Sequence, residues 1–113
     1  MNTQPTEMTE FCTVFITAGT EAETEALARS LVEQRLAACC SILPGVRSVY
    51  RWQDAIEENA EFLLEIKTRR DKFEELERYV HAIHSYDVPE ILCLPVLAGS
   101  GPYLEWLAES LGT

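Results

Sequence analysis

Apolar positions along the chain switch between two spacings, and the switches mark the elements. Phe11–Thr17 is rich in β-branched and aromatic residues and runs out at Gly19, predicting a first strand. Thr20 and Glu23 then form a T-x-x-E capping box, with Glu21, Glu23 and Glu25 favouring the positive end of a helix dipole. Leu27, Leu31 and Leu36, flanked by Ala28 and Val32, continue as one apolar stripe, predicting a helix to Leu36. From Cys39 to Gln53 the pattern is that of a long strand, bent at Pro44-Gly45. Proline cannot donate to a strand ladder, so Pro44 belongs at an edge or a bulge. Asp54–Ala60 is polar, with Asn59 as turn residue. Glu61–Thr68 follows as a strand with Phe62, Leu64 and Ile66 on one face and Leu63, Glu65 and Lys67 on the other.

Asp71 and Glu74 repeat the capping pattern. Phe73, Leu76, Val80 and Ile83 then recur at helical spacing, and Pro89 sets the limit of that second helix. Ile91–Leu97 is a fourth strand, with Pro95 again pointing to an edge or bulge. Gly99-Ser100-Gly101-Pro102 opens a short last helix that turns Leu104, Leu107 and Leu111 inward. The order β-α-β-β-α-β plus a short C-terminal helix is that of an α+β, ferredoxin-like split βαβ fold: one antiparallel sheet with its helices on one face. Leu63, Val49 or Tyr50, and Trp52 would then be partly exposed on the other face, on a hairpin too long for so small a domain. Such an apolar, open-edged hairpin invites aggregation unless it pairs with identical copies in a closed ring.

The 113 residues suffice for one domain, read as 11–113 behind a flexible polar leader, 1–10. That leader has neither the basic start nor the apolar stretch of a signal peptide. Hydrophobic residues make up 47% and charged residues 25%, the balance of a folded globular chain with no need of a cofactor for its core. Nineteen acidic against nine scattered basic residues give a net charge of -10, which argues against nucleic acid and against a basic membrane-surface patch. No apolar run approaches the roughly 18 residues of a membrane helix. Cys12, Cys39, Cys40 and Cys93 show no CxxC spacing and read as small apolar residues in a reducing, cytoplasmic setting.

Several short patterns occur in colinear order: Leu36-Ala37-Ala38-Cys39 before Pro44-Gly45, Ser48-x-Tyr50-x-Trp52, and Glu61-x-x-Leu64-x-x-Lys67-Thr68. They continue with His84-x-Tyr86-x-x-Pro89-Glu90 and Tyr103-x-x-Trp106-Leu107. Together they resemble the CutA family of divalent-cation tolerance proteins from about residue 11 to the end. The resemblance implies a compact homotrimer with hairpins pairing between neighbours, similar in shape to the nitrogen-regulatory PII proteins. It also implies a cytoplasmic or plastid setting and an association with copper and other divalent metals.

Some members of that family bind copper through a cysteine ending the first strand and two consecutive histidines ending the second helix. The matching positions here are Ile16, Ile83 and His84, so one imidazole remains of three ligands. Copper(I) prefers thiolate and imidazole donors, and the family site is largely missing. His81 and His84, three apart on a helix, offer a weak substitute for copper or another divalent cation. Glu57, Glu58 and Glu61 offer a second, to hard cations. Alternatively His84 simply caps its helix.

Tyr50, Trp52, Glu61, Lys67, Tyr86 and Glu90 are unusual residue types for the strands of a small domain. Pairing of hairpins would bring them to a cleft between subunits, fit for a small metabolite, or else to a polar interface core. The family pattern after Trp52 carries Gly and Lys two and three positions on. Asp54 and Ala55 stand there instead, so a cation suited to an anionic ligand is lost. Pro44–Arg51 faintly resembles the phosphate loop of acylphosphatases, which share the split βαβ fold, but its spacing is wrong and no other catalytic pattern is present. A binding or signalling protein is expected, with a PII-like sensor of a small metabolite as the alternative and a hydrolase behind both. An unknown protein partner is compatible with either binding role.

Overall fold

A computed structural model describes residues 8–112. Four antiparallel strands lie in the order β2-β3-β1-β4, with β1 at Phe11–Ala18, β2 at Cys39–Trp52, β3 at Ala55–Arg69 and β4 at Ile91–Pro95. Three α-helices accompany them, α1 at Glu21–Glu33, α2 at Phe73–Ile83 and α3 at Gly101–Leu111. The expected element order and single sheet are those observed. No helix among the described residues is long and apolar enough to cross a membrane.

Alternation along the inner strands decides which face is dry. Cys12, Val14 and Ile16 of β1 join Leu64 and Ile66 of β3, and the stripes Leu27–Leu31 of α1 and Leu76–Val80 of α2 close over them. Phe11, one residue out of phase with Cys12, belongs to a second cluster with Ala38, Leu107 and Leu111. The helices are therefore not all on one face. The third helix covers one end of the opposite side, because its Leu107 and Leu111 find Phe11 there.

Local chemistry shifts several boundaries. Thr20 caps α1 by accepting from the Glu23 N–H (3.1 Å), but the Glu23 carboxylate does not return to Thr20. It accepts instead from the Ser85 N–H and hydroxyl, both at 2.8 Å, since two tertiary bonds outcompete one local bond. Helix α1 stops at Glu33, short of Leu36, where Arg35 takes a left-handed conformation (φ 58°). Asp71 is not a cap: its carboxylate accepts from Arg69 Nε (3.2 Å), and α2 is entered through a 3-10 turn at Arg70–Lys72. Strand β4 ends at Pro95, earlier than Leu97. Residues 1–7 of the expected leader lie outside the described residues. Of the rest, Thr9 is tied to the Val96 carbonyl, and the Glu10 carbonyl accepts from the Arg70 N–H.

The largest difference lies in the β2–β3 hairpin. Asp54–Ala60 is not a loop: the strands run on to a two-residue turn at Gln53 and Asp54, both at positive φ (50° and 67°). Strand β1 pairs with β3 only as far as Phe62, so Val46–Trp52 and Ala55–Glu61 leave the sheet as a two-stranded arm. Edge strand β2 carries a bulge between Leu43 and Val46, where Pro44 and Gly45 (φ 81°) oppose one residue of β3. Pro44 is accommodated as its chemistry requires.

Candidate functional site

The bulge determines what the arm displays. A one-residue shift exchanges the two faces of a strand. With Pro44-Gly45 inserted, Val46 rather than Gly45 comes opposite Glu61, and Ser48 comes opposite Asn59. Tyr50 and Trp52 thereby share the face of Glu61, while Arg47 and Arg51 turn to the other. On the chosen face, where the arm leaves the sheet, lies a cleft of about 600 Å³. Thr17 at the end of β1 and Glu61 of β3 line its base, both largely buried. Ser48, Val49, Tyr50, Trp52 and Asn59 contribute from the arm, and Tyr86, Asp87, Val88 and Glu90 from the segment between α2 and β4.

Hydrogen bonds set this geometry. The Tyr86 hydroxyl donates to Glu61 Oε2 at 2.7 Å, and Asn59 Nδ2 donates to the Tyr50 hydroxyl at 2.5 Å. Burial, then the bond to Glu61, pushes the Tyr86 phenol well above its ordinary range. Glu90 is exposed as a residue, yet partial desolvation of its carboxyl and the nearby Glu61 carboxylate push it upward too. Gly19 sits beneath the tyrosine, where an added Cβ would lie 3.1 Å from the hydroxyl. A side chain there would crowd the Tyr86 hydroxyl, which would have to give by a few tenths of an ångström.

Five of the six residues singled out from the sequence thus converge: Tyr50, Trp52, Glu61, Tyr86 and Glu90. They do so within one chain. Lys67 stands apart, six residues along β3 from Glu61 and so about 20 Å away. Its ammonium bonds Ser41 Oγ and Glu65 Oε1, each at 3.2 Å. Thr17, Ser48, Asn59, Asp87 and Val88 were not anticipated. Ser48 follows from alternation with Tyr50, and Asp87 and Val88 from their place between Tyr86 and Glu90. Asn59 was hidden by its resemblance to a turn residue.

The histidines occupy different surroundings. The Tyr86 N–H must donate, so His84 Nδ1 accepts it (3.0 Å), and Nε2 therefore carries the proton given to the Thr17 carbonyl (2.9 Å). With both nitrogens engaged and its side chain buried, His84 would have to break native bonds to ligate a metal. His81 lies on the exposed side of α2, with Nε2 3.9 Å from Glu77. Ile16 is fully buried and Ile83 is exposed, and neither has a donor atom. The Cys-His-His copper set does not fit this chain. Among the described residues, no group of three or more His, Cys, Asp or Glu side chains is arranged to hold a metal ion.

The two features that a hydrolase or a thiol enzyme would use are built differently here. Pro44–Arg51 is bulge and strand rather than a phosphate cradle, and Arg47 pairs with Glu58 across the arm. Burial raises the thiols of Cys12 and Cys40 to about 12, opposite to what a nucleophile needs.

Comparison with known proteins places this architecture. The family model described as CutA1 divalent ion tolerance protein matches residues 12–110. The divalent-cation tolerance protein CutA of Thermus thermophilus is 46% identical over 99 residues, covering 88% of this chain and 96% of that protein. Chloroplastic CutA of Arabidopsis thaliana is 45% identical over 86% of this chain, which spans about half (53%) of that longer protein. The solved Thermus thermophilus Cut A1 structure superposes with a TM-score of 0.87 at 45% identity, covering 90% of this chain and 99% of that one. Oryza sativa CutA1 gives 0.88 at 41% identity, with 91% and 94% covered. Sequence and fold agree along nearly the whole described length, and the chain belongs to the CutA1 divalent ion tolerance protein family.

Proposed function

We propose that this chain serves divalent-cation tolerance, copper included, as a cytoplasmic homotrimer that acts by binding or signalling rather than by catalysis. The observation that carries the proposal is the family match over residues 12–110. The arm supports self-association. An isolated two-stranded hairpin is marginal in water, and this one exposes Val49 and Ile56 while Leu92 is exposed on edge strand β4. Pairing such edges with identical copies in a closed ring covers them.

Metal contact in this proposal is weak, because a lone imidazole whose two nitrogens are already bonded does not chelate copper tightly. Calorimetry with Cu(I), Cu(II) and Zn(II) tests it, on the native protein and on His84→Asn. The expected isotherms are shallow and the same for both proteins. A tight copper isotherm abolished in the variant overturns the weak-contact reading. Sedimentation at micromolar concentration is expected to give three times the 12.8 kDa chain mass; a stable single chain overturns the homotrimer. Fractionation of the source cells that leaves the protein outside the cytoplasm overturns its location.

A second role, PII-like sensing of a small metabolite, is favoured by the cleft itself, whose size and mix of aromatic and polar lining suit a small organic molecule. A thermal-shift screen of nucleotides and metabolites is expected to find stabilising compounds, and a flat screen counts against this role.

A further inference from the structure

The lining of the cleft carries charge of one sign only. Glu61, Asp87 and Glu90 supply carboxylates, Tyr50, Trp52 and Tyr86 supply aromatic surface, and no described lining residue is Lys, Arg or His. The arm's own cations lie on its other face, Arg47 paired with Glu58 and Arg51 beside it in the same phase of the strand, and Lys67 is held far along β3 by Ser41 and Glu65. Glu61 is 7% exposed, a depth at which a carboxylate normally has a positive partner. Its Oε2 has the Tyr86 hydroxyl, but among the described residues Oε1 has no hydrogen-bond partner. Since no described buried side-chain polar atom is left unsatisfied, Oε1 opens onto the cleft. The proximity of Glu61 also makes ionisation of Glu90 harder, a cost that a cation placed between them removes.

A bare divalent ion is a poor answer to this geometry. Hard cations gather six or more oxygens at short range, whereas no described cluster of three such side chains is present. The space, about 600 Å³, is that of an organic molecule. Half-exposed Trp52 and Tyr50 offer ring faces that attract a cation and flat surface that covers an apolar body. We infer that the cleft binds an organic ammonium ion, its nitrogen between Glu61 and Glu90 and its apolar body against Trp52 and Tyr50. This rests on the metabolite-binding role proposed above and adds the class of ligand.

The test compares phenethylamine with phenethyl alcohol, matched in size and differing in charge, by calorimetry on the assembled full chain in the presence of EDTA. The amine is expected to bind at least ten times more tightly than the alcohol. Glu90→Gln and Glu61→Gln are each expected to remove most of that preference by weakening the amine far more than the alcohol. Glu74→Gln, on the exposed face of α2, should preserve the preference and so separates the cleft from the general negative charge. Glu61→Gln risks the fold because the residue is buried; Glu90→Gln, at an exposed residue, keeps the test decisive. Equal binding of amine and alcohol, or a preference indifferent to Glu90→Gln, overturns the inference while leaving the metabolite role standing. A cleft that takes neither probe, because a second copy fills it, also overturns the inference; the metabolite role falls only if the wider screen is flat as well.

Discussion

The Tyr86 hydroxyl and the Glu61 carboxylate meet at 2.7 Å, joining the segment after α2 to the point where β3 leaves the sheet. This contact couples two parts of the chain that otherwise share little. The arm is held at its root by β1 pairing up to Phe62, and the tyrosine segment by His84 on Thr17 and Ser85 on Glu23. Phenol and carboxylate therefore set the separation of the two cleft walls.

Tyr86→Phe keeps the ring and removes the donor. A hydrogen bond to a charged acceptor contributes about 1.5–3 kcal/mol when buried, and partial exposure here reduces the expected loss to about 1–2 kcal/mol. Urea unfolding should show a lower midpoint at unchanged slope. The native protein should also lose stability above about pH 10, where the unfolded tyrosine ionises while the folded one, with its raised pKa, still holds its proton. The Tyr86 part of that alkaline loss should vanish in the variant. Unchanged stability at neutral pH would show that the contact contributes nothing.

Gly45→Ala isolates the cost of the bulge. Nothing lies within 4 Å of the position an added Cβ would take, so no clash arises, but φ is +81°. The expected loss is about 1 kcal/mol of backbone strain, read from the denaturation midpoint. A neutral substitution would mean that the bulge relaxes, and amide exchange across Val46–Trp52 should then reveal a changed register.

How much of this was legible follows from which signals were local. Val14, Ile16, Leu27, Leu31, Leu76 and Val80 declared the core through periodicity, and Pro44 declared the bulge because a missing N–H allows few other places. Convergence of Tyr50, Trp52, Glu61, Tyr86 and Glu90 was legible as a set of odd residue types, but their face was not. Val49 and Tyr50 were equivalent candidates until the bulge fixed the phase. The hairpin turn was missed because Gln53-Asp54 lacks the glycine that normally announces two positive φ angles, and Asn59 offered a false alternative. Glu23 reads as half of a capping box and spends its carboxylate on Ser85, 62 residues away, which no local pattern announces.

That turn supplies a gain-of-stability experiment. Left-handed backbone costs a non-glycine residue roughly 1 kcal/mol, and both Gln53 and Asp54 adopt it. Replacing them with Asn-Gly, the pair suited to this turn, should raise stability by about 1 kcal/mol and slow amide exchange along the arm. If stability falls instead, the native side chains make contacts in the assembled protein that outweigh the strain.

Glu90→Gln addresses the electrostatics of the cleft without a ligand. Desolvation and the Glu61 carboxylate raise the Glu90 pKa in the folded protein above its unfolded value, near 4.3. Below that pH both states hold the proton and the contribution of Glu90 to stability is complete. As pH climbs through the folded pKa, that contribution is lost, because the unfolded chain has already ionised freely. Gln cannot ionise, so its advantage over Glu should be absent near pH 4 and grow toward neutrality. Urea midpoints of both proteins between pH 4 and 8 give the measurement. A difference that stays constant with pH, or one favouring Glu at neutrality, would mean that Glu61 and Glu90 do not oppose each other in the folded state. A saturating organic ammonium ion should reverse the ordering at neutral pH, since it stabilises the charged pair and meets one carboxylate instead of two in the variant.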